Sequence, residues 1–183
     1  GRSGMKSVLI TGAGRRLGAA LARLFAQDGA RVILHANASR ADADRLADEL
    51  IREGRSAIVV AGDLGAEKPG AVEAFFAQVI EAAGVPDILV NNASAFDYDF
   101  PGAADAQILT RSLRVNAMAP ILLMDLLYRA RGEGQAINVF NILDQKLGNL
   151  NPDYYSYTVS KAALHAATKL WRSRRDQIGR AHV

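Results

Sequence analysis

The chain has 183 residues, of which 50% are hydrophobic and 22% charged, which fits one globular domain with a buried core and excludes general disorder. Its formal charge of +3 sits at the C-terminal end, where Arg172, Arg174, Arg175 and Arg180 outweigh Asp176, so the neutral remainder offers no basic face for nucleic acid. Without cysteine there is no disulfide or thiolate chemistry, and no apolar run nears the ~18 residues of a membrane span, so a cytoplasmic protein with no membrane partner is expected.

The first strand is expected over residues 6–10, before a glycine-rich turn. A helix follows over 17–27, stopped by Gly29, then a strand over 31–35. Residues 39–52 read as a charged amphipathic helix ending at Gly54, and 56–61 as a third strand. Residues 69–83 are again helical up to Gly84, and 87–91 form a fourth strand. One or two helices occupy 103–130, with Pro120 as a kink or junction; a fifth strand covers 136–141 and a last helix starts near Tyr154. Continuously apolar strands separated by helices indicate a doubly wound α/β domain, a Rossmann-type parallel sheet covered on both faces.

The loop after the first strand reads TGAGRRLGAA from Thr11 to Ala20. Backbone N–H groups at the start of a helix form an anion site, and Gly12, Gly14 and Gly18 allow close approach to a pyrophosphate. Such a turn also serves merely to reverse a chain, so its β-turn-α context carries the binding reading. Arg16 stands where a glycine is expected.

This loop resembles the TGxxxGxG motif of the short-chain dehydrogenases/reductases, with Arg16 for its middle glycine. Further similarities follow in order. GDL, with Asp63 and Leu64, is similar to the adenine-contacting pair after the third strand. NNAS, with Asn91, Ala93 and Ser94, resembles the family's NNAG. VNAMAP carries the family's Asn as Asn116, and Tyr157 and Lys161 form its YxxxK. The resemblance runs from about residue 6 to residue 171.

One departure is informative: thirteen residues before Tyr157 the family has a serine, and this chain has Asp144. Together with Arg16 and NNASAF, that aspartate resembles the pteridine reductase branch. The resemblance implies that Arg16 lies near the cofactor phosphates and that Phe96 stacks on a pterin beside Ser94. It further implies that Tyr157 is the proton donor, and that Lys161 lowers the tyrosine pKa and binds the nicotinamide ribose. Asn116 is then expected to hold a backbone distortion and a water leading to Lys161, and Asp144 to relay a proton to a ring nitrogen. A four-residue spacing puts Tyr157 and Lys161 on one helical face, where the ammonium favours a phenolate. The alternatives are an ordinary helix cap for Asn116, a solvated turn residue for Asp144 and core packing for Phe96.

Cofactor choice follows from charge. An NAD site has a carboxylate at the end of the second strand, and here LHANASRADAD holds no acid before Asp42. His35, Asn37, Ser39 and Arg40 are donors in that segment and favour NADPH; Arg15, Arg16 and Leu17 of the glycine-rich loop are further expected cofactor contacts. No residue cluster has metal-ligand spacing.

The basic segment from Arg172 to Val183 has no cap and no following strand. IGRAHV is also one translation of a common sequencing adapter, so 172–183 reads as a non-native tail after a domain over 5–171, and GRSG before Met5 as upstream translation or a cloning scar. The expected sheet then lacks a strand after the Tyr157 helix, leaving the fifth as an exposed edge and the fragment inactive. In the complete protein, helices around 106–129 and 154–171 are expected to pack across a homodimer or homotetramer interface. Three functional readings stand: an NADPH-dependent reductase of a pterin or dihydropterin/dihydrofolate, a reductase of another carbonyl or imine, and a non-catalytic NADP(H)-binding protein.

Overall fold

The computed structural model describes residues 4–143, 152–178 and 181–182. Strands and helices alternate: β1 (Ser7–Ile10), α1 (Arg16–Gln27), β2 (Arg31–Ala36), α2 (Arg40–Arg52), β3 (Ser56–Ala61), α3 (Ala71–Ala83) and β4 (Ile88–Asn91). After α4 (Ala106–Leu113), a π-helical turn at Arg114–Met118 leads into α5 (Ala119–Arg131). Then come β5 (Ile137–Asn141), α6 (Tyr155–Ile178) and β6 (Ala181–His182). The described strands form one parallel sheet in the order β3-β2-β1-β4-β5-β6, the Rossmann-type arrangement.

Alternation along the apolar strands feeds two cores. Leu9, Ile33 and Leu89 face one side, where they meet Phe75, Phe76, Leu123, Leu127 and Leu164 from α3, α5 and α6. Val8, Ile10, Val32, Leu34 and Val90 face the other, against Ala22, Leu46 and Leu50 of α1 and α2. Each fully buried Leu or Ile of this kind is worth about 1.5–3 kcal/mol, so both helical layers are held by burial rather than by helix propensity.

Two expectations need correction. A strand does follow the last helix: β6 pairs in parallel with β5, Ala181 beside Ile137 and His182 beside Asn138. Two residues are too few to leave a periodic signal. The junction expected at Pro120 lies just before it, where the Ala119 N–H donates to the Arg114 carbonyl across five residues. Pro120 has no N–H for the Asn116 carbonyl four residues back, so the α-helical ladder is interrupted there and the wider turn takes its place.

Candidate functional site

The loops at the C-terminal ends of β1, β2, β3 and β4 enclose a cleft at the point where the strand order reverses from β1. Open α/β sheets bind ligands at such a switch point. Two adjoining hollows of about 330 and 480 Å3 share Gly12, Arg15, Ala93, Ser94 and Phe96. The first extends along His35, Asn37, Ser39, Asp63 and Leu64; the second along Arg16, Leu17 and Asn92.

The glycine-rich loop is held by its own side of the sheet. The Thr11 hydroxyl accepts the Asn92 and Ala93 amides, each at 2.9 Å, and Asn92 Nδ2 donates to the Gly12 carbonyl at 3.1 Å. A Cβ on Gly12 would lie 2.8 Å from Ala93 Cα, and one on Gly18 2.1 Å from the Gly12 oxygen. On Gly14 it would lie 2.8 Å from Ser39 Oγ, on the loop into α2. At all three positions a side chain would strike the protein's own chain, so the loop's packing already requires glycine there; of the three, Gly12 lines both hollows of the cleft.

Arg16 adopts a left-handed backbone (φ 52°), among the described residues the one non-glycine to do so. That conformation is the one its glycine counterpart would take freely, and it costs an L-residue about 1–2 kcal/mol. Arg15 is drawn to α2: its Nε lies 3.2 Å from Asp42, which Arg45 also holds. Arg40 turns along the surface of α2 toward Asp44, 3.7 Å away.

His35 is buried and its two nitrogens have backbone partners. Nδ1 accepts the Gly12 amide at 2.9 Å and Nε2 lies 2.8 Å from the Gly62 oxygen, an arrangement that requires the neutral ring protonated on Nε2. Burial pushes its pKa below the ordinary 6.5, against smaller raising effects of the Gly62 carbonyl and Asp63. The expectation of a ring donor directed at a ligand is thus replaced by a pin between the loop and the end of β3. Asn91 is corrected likewise: its side chain is buried and donates to Asn141 at 2.8 Å, and its neighbour Asn92 is the one on the cleft. The Asp63 carboxylate accepts the Gly65 amide at 2.9 Å and faces Arg111 at 3.4 Å.

Asn116 lies in the π-helical turn and is fully buried. Its Oδ1 accepts the Ala95 amide at 2.8 Å. Its Nδ2 donates to the Ala95 carbonyl and to Ser160 Oγ, each at 2.9 Å. Ser160 Oγ in turn donates to the Tyr157 carbonyl at 2.7 Å. The asparagine thereby ties the segment after β4 to the helix that carries Tyr157 and Lys161. Lys161, 3% exposed, donates to the Ile142 carbonyl at 3.1 Å, and its Nζ lies 5.8 Å from the centre of the Tyr157 ring.

Phe96 connects the cleft to this helix. Its ring meets the Tyr157 ring edge-on, centres 4.5 Å apart, and stacks on Tyr154 at 4.4 Å. At 55% exposure it is a wall of the site and not core. Asp144 lies outside the described residues. Sequence reasoning missed Thr11, Asn92, Arg111 and Ser160. The first two sit inside motifs already recognised, while Arg111 and Ser160 reach the site only through folding and leave no local signal. Among the described residues no group of three or more His, Cys, Asp or Glu could hold a metal, and no helix is long and apolar enough to cross a membrane.

The family model for short chain dehydrogenases matches residues 6–179. Versicolorin reductase of Emericella nidulans is 31% identical over 159 residues, covering 87% of this chain and 59% of its own length. A chloroplastic NADPH-dependent aldehyde reductase-like protein of Arabidopsis thaliana is 28% identical, covering 88% and 64%. The structure of FolM alternative dihydrofolate reductase 1 from Brucella canis with NADP is 36% identical, with a TM-score of 0.84 over 92% of this chain and 66% of that one. Landomycin C-6 ketoreductase with bound NADP and rabelomycin superposes with a TM-score of 0.81 at 29% identity, covering 93% and 71%. The chain spans 59–64% of the length of these curated relatives. With the sheet order, the cleft at its switch point and the Asn116, Tyr157 and Lys161 constellation, the match over residues 6–179 places the chain in the short-chain dehydrogenase family.

Proposed function

We propose that the complete protein is an NADPH-dependent reductase of a pterin, or of a dihydropterin or dihydrofolate. The observation that carries this reading is the placement of Phe96. It is an exposed flat ring, in edge contact with Tyr157, on the rim shared by both hollows of the cleft. A flat heteroaromatic substrate gains from stacking on such a wall, at about 0.5–1.5 kcal/mol beyond area burial. The 36% identical FolM structure supports the same direction.

The residues present fit the cofactor. Gly12, where a Cβ would strike Ala93, and the N-terminus of α1 make a cradle for a pyrophosphate, with the Arg16 cation beside it. Arg15, Asn37 and Ser39 line the end of β2, where they would hold a 2′-phosphate, and Asp63 and Leu64 line the same hollow, where they would contact the adenine. NADPH, when bound, supplies a hydride to a substrate carbon. Tyr157 supplies the proton to the neighbouring nitrogen or oxygen, and Lys161 holds positive charge beside the resulting phenolate. Asp144, by its sequence position, assists proton delivery to a ring nitrogen.

Carbonyl reduction is the second reading, favoured by the 31% identity to versicolorin reductase. A purely cofactor-binding protein fits less well, because Tyr157 touches Phe96 on the rim of the cleft and Lys161 Nζ lies 5.8 Å from the centre of the Tyr157 ring. The part acting as cofactor domain is residues 5–171. With relatives continuing well beyond the matched length, the 183-residue chain alone is expected to be inactive. The complete protein is a homodimer or homotetramer packed through the helices around 106–129 and 154–171.

The test is NADPH oxidation by the complete protein with dihydrobiopterin and dihydromonapterin, alongside NADH, simple ketones and a Tyr157→Phe variant. Pterin turnover that needs Tyr157 and is much weaker with NADH is the expected result. Ketone turnover without pterin turnover establishes the second reading; tight NADPH binding with turnover of none of these overturns the pterin reading and demotes Phe96 and Asp144 to incidental resemblances.

A further inference from the structure

Asp99 is 3% exposed although Tyr98 and Phe100 on either side are 62% and 41% exposed. Its side chain reaches the start of α6. Oδ1 accepts the Ser156 amide at 2.8 Å, Oδ2 accepts the Ser156 hydroxyl, and the Asp99 carbonyl accepts the Tyr155 amide at 3.2 Å. Asp99 and Tyr154 also form an isolated parallel bridge.

A helix begins with N–H groups that have no partner in the helix, usually served by the residue just before it. In α6 that residue is Tyr154, whose side chain cannot accept from its own first turn in the manner of Ser or Asp. The cap is imported from a segment 57 residues earlier. That segment also carries Phe96, which touches Tyr154 and Tyr157. Tyr157 follows Ser156 directly, so the same turn holds the cap acceptor's partners and the proton donor.

We infer that Asp99 is a positioning residue: acting through Ser156, it clamps the Phe96 segment to the first turn of α6 and so sets the spacing between the aromatic wall and Tyr157. Asn116 fixes the other end of the same segment at Ala95. The three residues between these two anchors, Phe96 to Tyr98, are therefore held as a short span across the mouth of the site. A substrate ring and its proton donor meet only if that span keeps its distance from α6, which is the condition for productive geometry. The catalytic part of this inference rests on the proposed role of Tyr157; the clamp itself does not.

The experiment uses the complete protein with Asp99→Ala, Asp99→Asn and Ser156→Ala, the last keeping the backbone bond to Oδ1. Hydrogen exchange is followed in segments 94–100 and 154–160 without substrate, with the glycine loop as control. Asp99→Ala is expected to speed exchange in both segments about tenfold or more, the loss of a buried charged acceptor, and to leave the glycine loop unchanged. NADPH affinity stays within about twofold, kcat/KM falls about tenfold or more with most of the loss in kcat, and Asp99→Asn recovers most of it by keeping an acceptor at Oδ1. Unchanged exchange in either segment overturns the clamp. Faster exchange in both with wild-type kcat/KM overturns the positioning role. Should the wild-type protein turn over none of the substrates, the functional reading fails and the exchange result still decides the clamp. If Asp99→Ala does not fold, Ser156→Ala and Asp99→Asn decide it together: each is expected to speed exchange in both segments by a smaller factor, and unchanged exchange in both variants overturns the clamp.

Discussion

His35 Nδ1 accepts the Gly12 amide at 2.9 Å while its Nε2 faces the Gly62 oxygen at 2.8 Å, so one neutral imidazole joins the glycine-rich loop to the end of β3. A doubly protonated ring has no lone pair for the Gly12 amide. Loop geometry and histidine titration are therefore coupled.

Stability should consequently depend on pH in a defined direction. Burial lowers the folded pKa of His35 below 6.5, so between the two values the unfolded chain binds more protons and stability rises with pH. The contribution is complete above about 6.5 and is lost as pH falls through the folded value. Thermal unfolding across that window should show the slope in the wild type and lose it in His35→Gln.

Arg16→Gly should separate backbone strain from charge. Relief of the left-handed conformation is expected to stabilise the fold by about 1 kcal/mol, while removal of the guanidinium weakens NADPH binding. Melting temperature and a fluorescence titration should move in opposite senses.

Gly18→Ala forces a Cβ to 2.1 Å from the Gly12 oxygen, which no side-chain adjustment relieves. A loss of about 3 kcal/mol or more, with NADPH binding abolished, is expected from urea denaturation and titration, since backbone rather than a flexible side chain must shift.

Asn116→Ala leaves the Ala95 amide and carbonyl without their side-chain partner inside the protein. About 2–4 kcal/mol of stability should be lost, and faster amide exchange at Ala95 would locate the effect.

Asp42 holds Arg15 and Arg45 and so competes with any phosphate at the end of β2. Asp42→Asn should raise NADPH affinity severalfold at low salt and leave NADH unchanged, the difference shrinking as added salt screens exposed charges. Isothermal titration at two ionic strengths reads both.

The doubly wound sheet was legible because β1 to β4 are short apolar runs between helices whose charged faces are plain in sequence. Leu9 and Val8 feed opposite cores with no polar residue between them. The site was legible where a motif is local: Gly12, Asp63 and the Tyr157 and Lys161 pair. It was misread where identity is local and orientation is not. Nothing in NNAS says that Asn91 turns inward to Asn141 and Asn92 outward to Gly12. His35 looked like a donor at a strand end, but burial and two backbone partners gave it another task. Asp99 escaped notice because its partner, Ser156, lies far along the chain. The two residues of β6 offered no period to read.

The Thr11 hydroxyl that accepts the Asn92 and Ala93 amides joins positions more than 80 residues apart. During synthesis β1 can pair with β2 early, yet its loop stays unfinished until β4 has emerged, and the segment after β4 until Ser160 has followed. Folding rate is limited by distant pairings of this kind, and a chain waiting for them exposes its central strand. Since the cleft exists only once these pairings are made, a nucleotide at a hundred times its dissociation constant would hold the finished sheet by about 2.7 kcal/mol. Cofactor supply would then act on how much of the protein accumulates, apart from any effect on turnover.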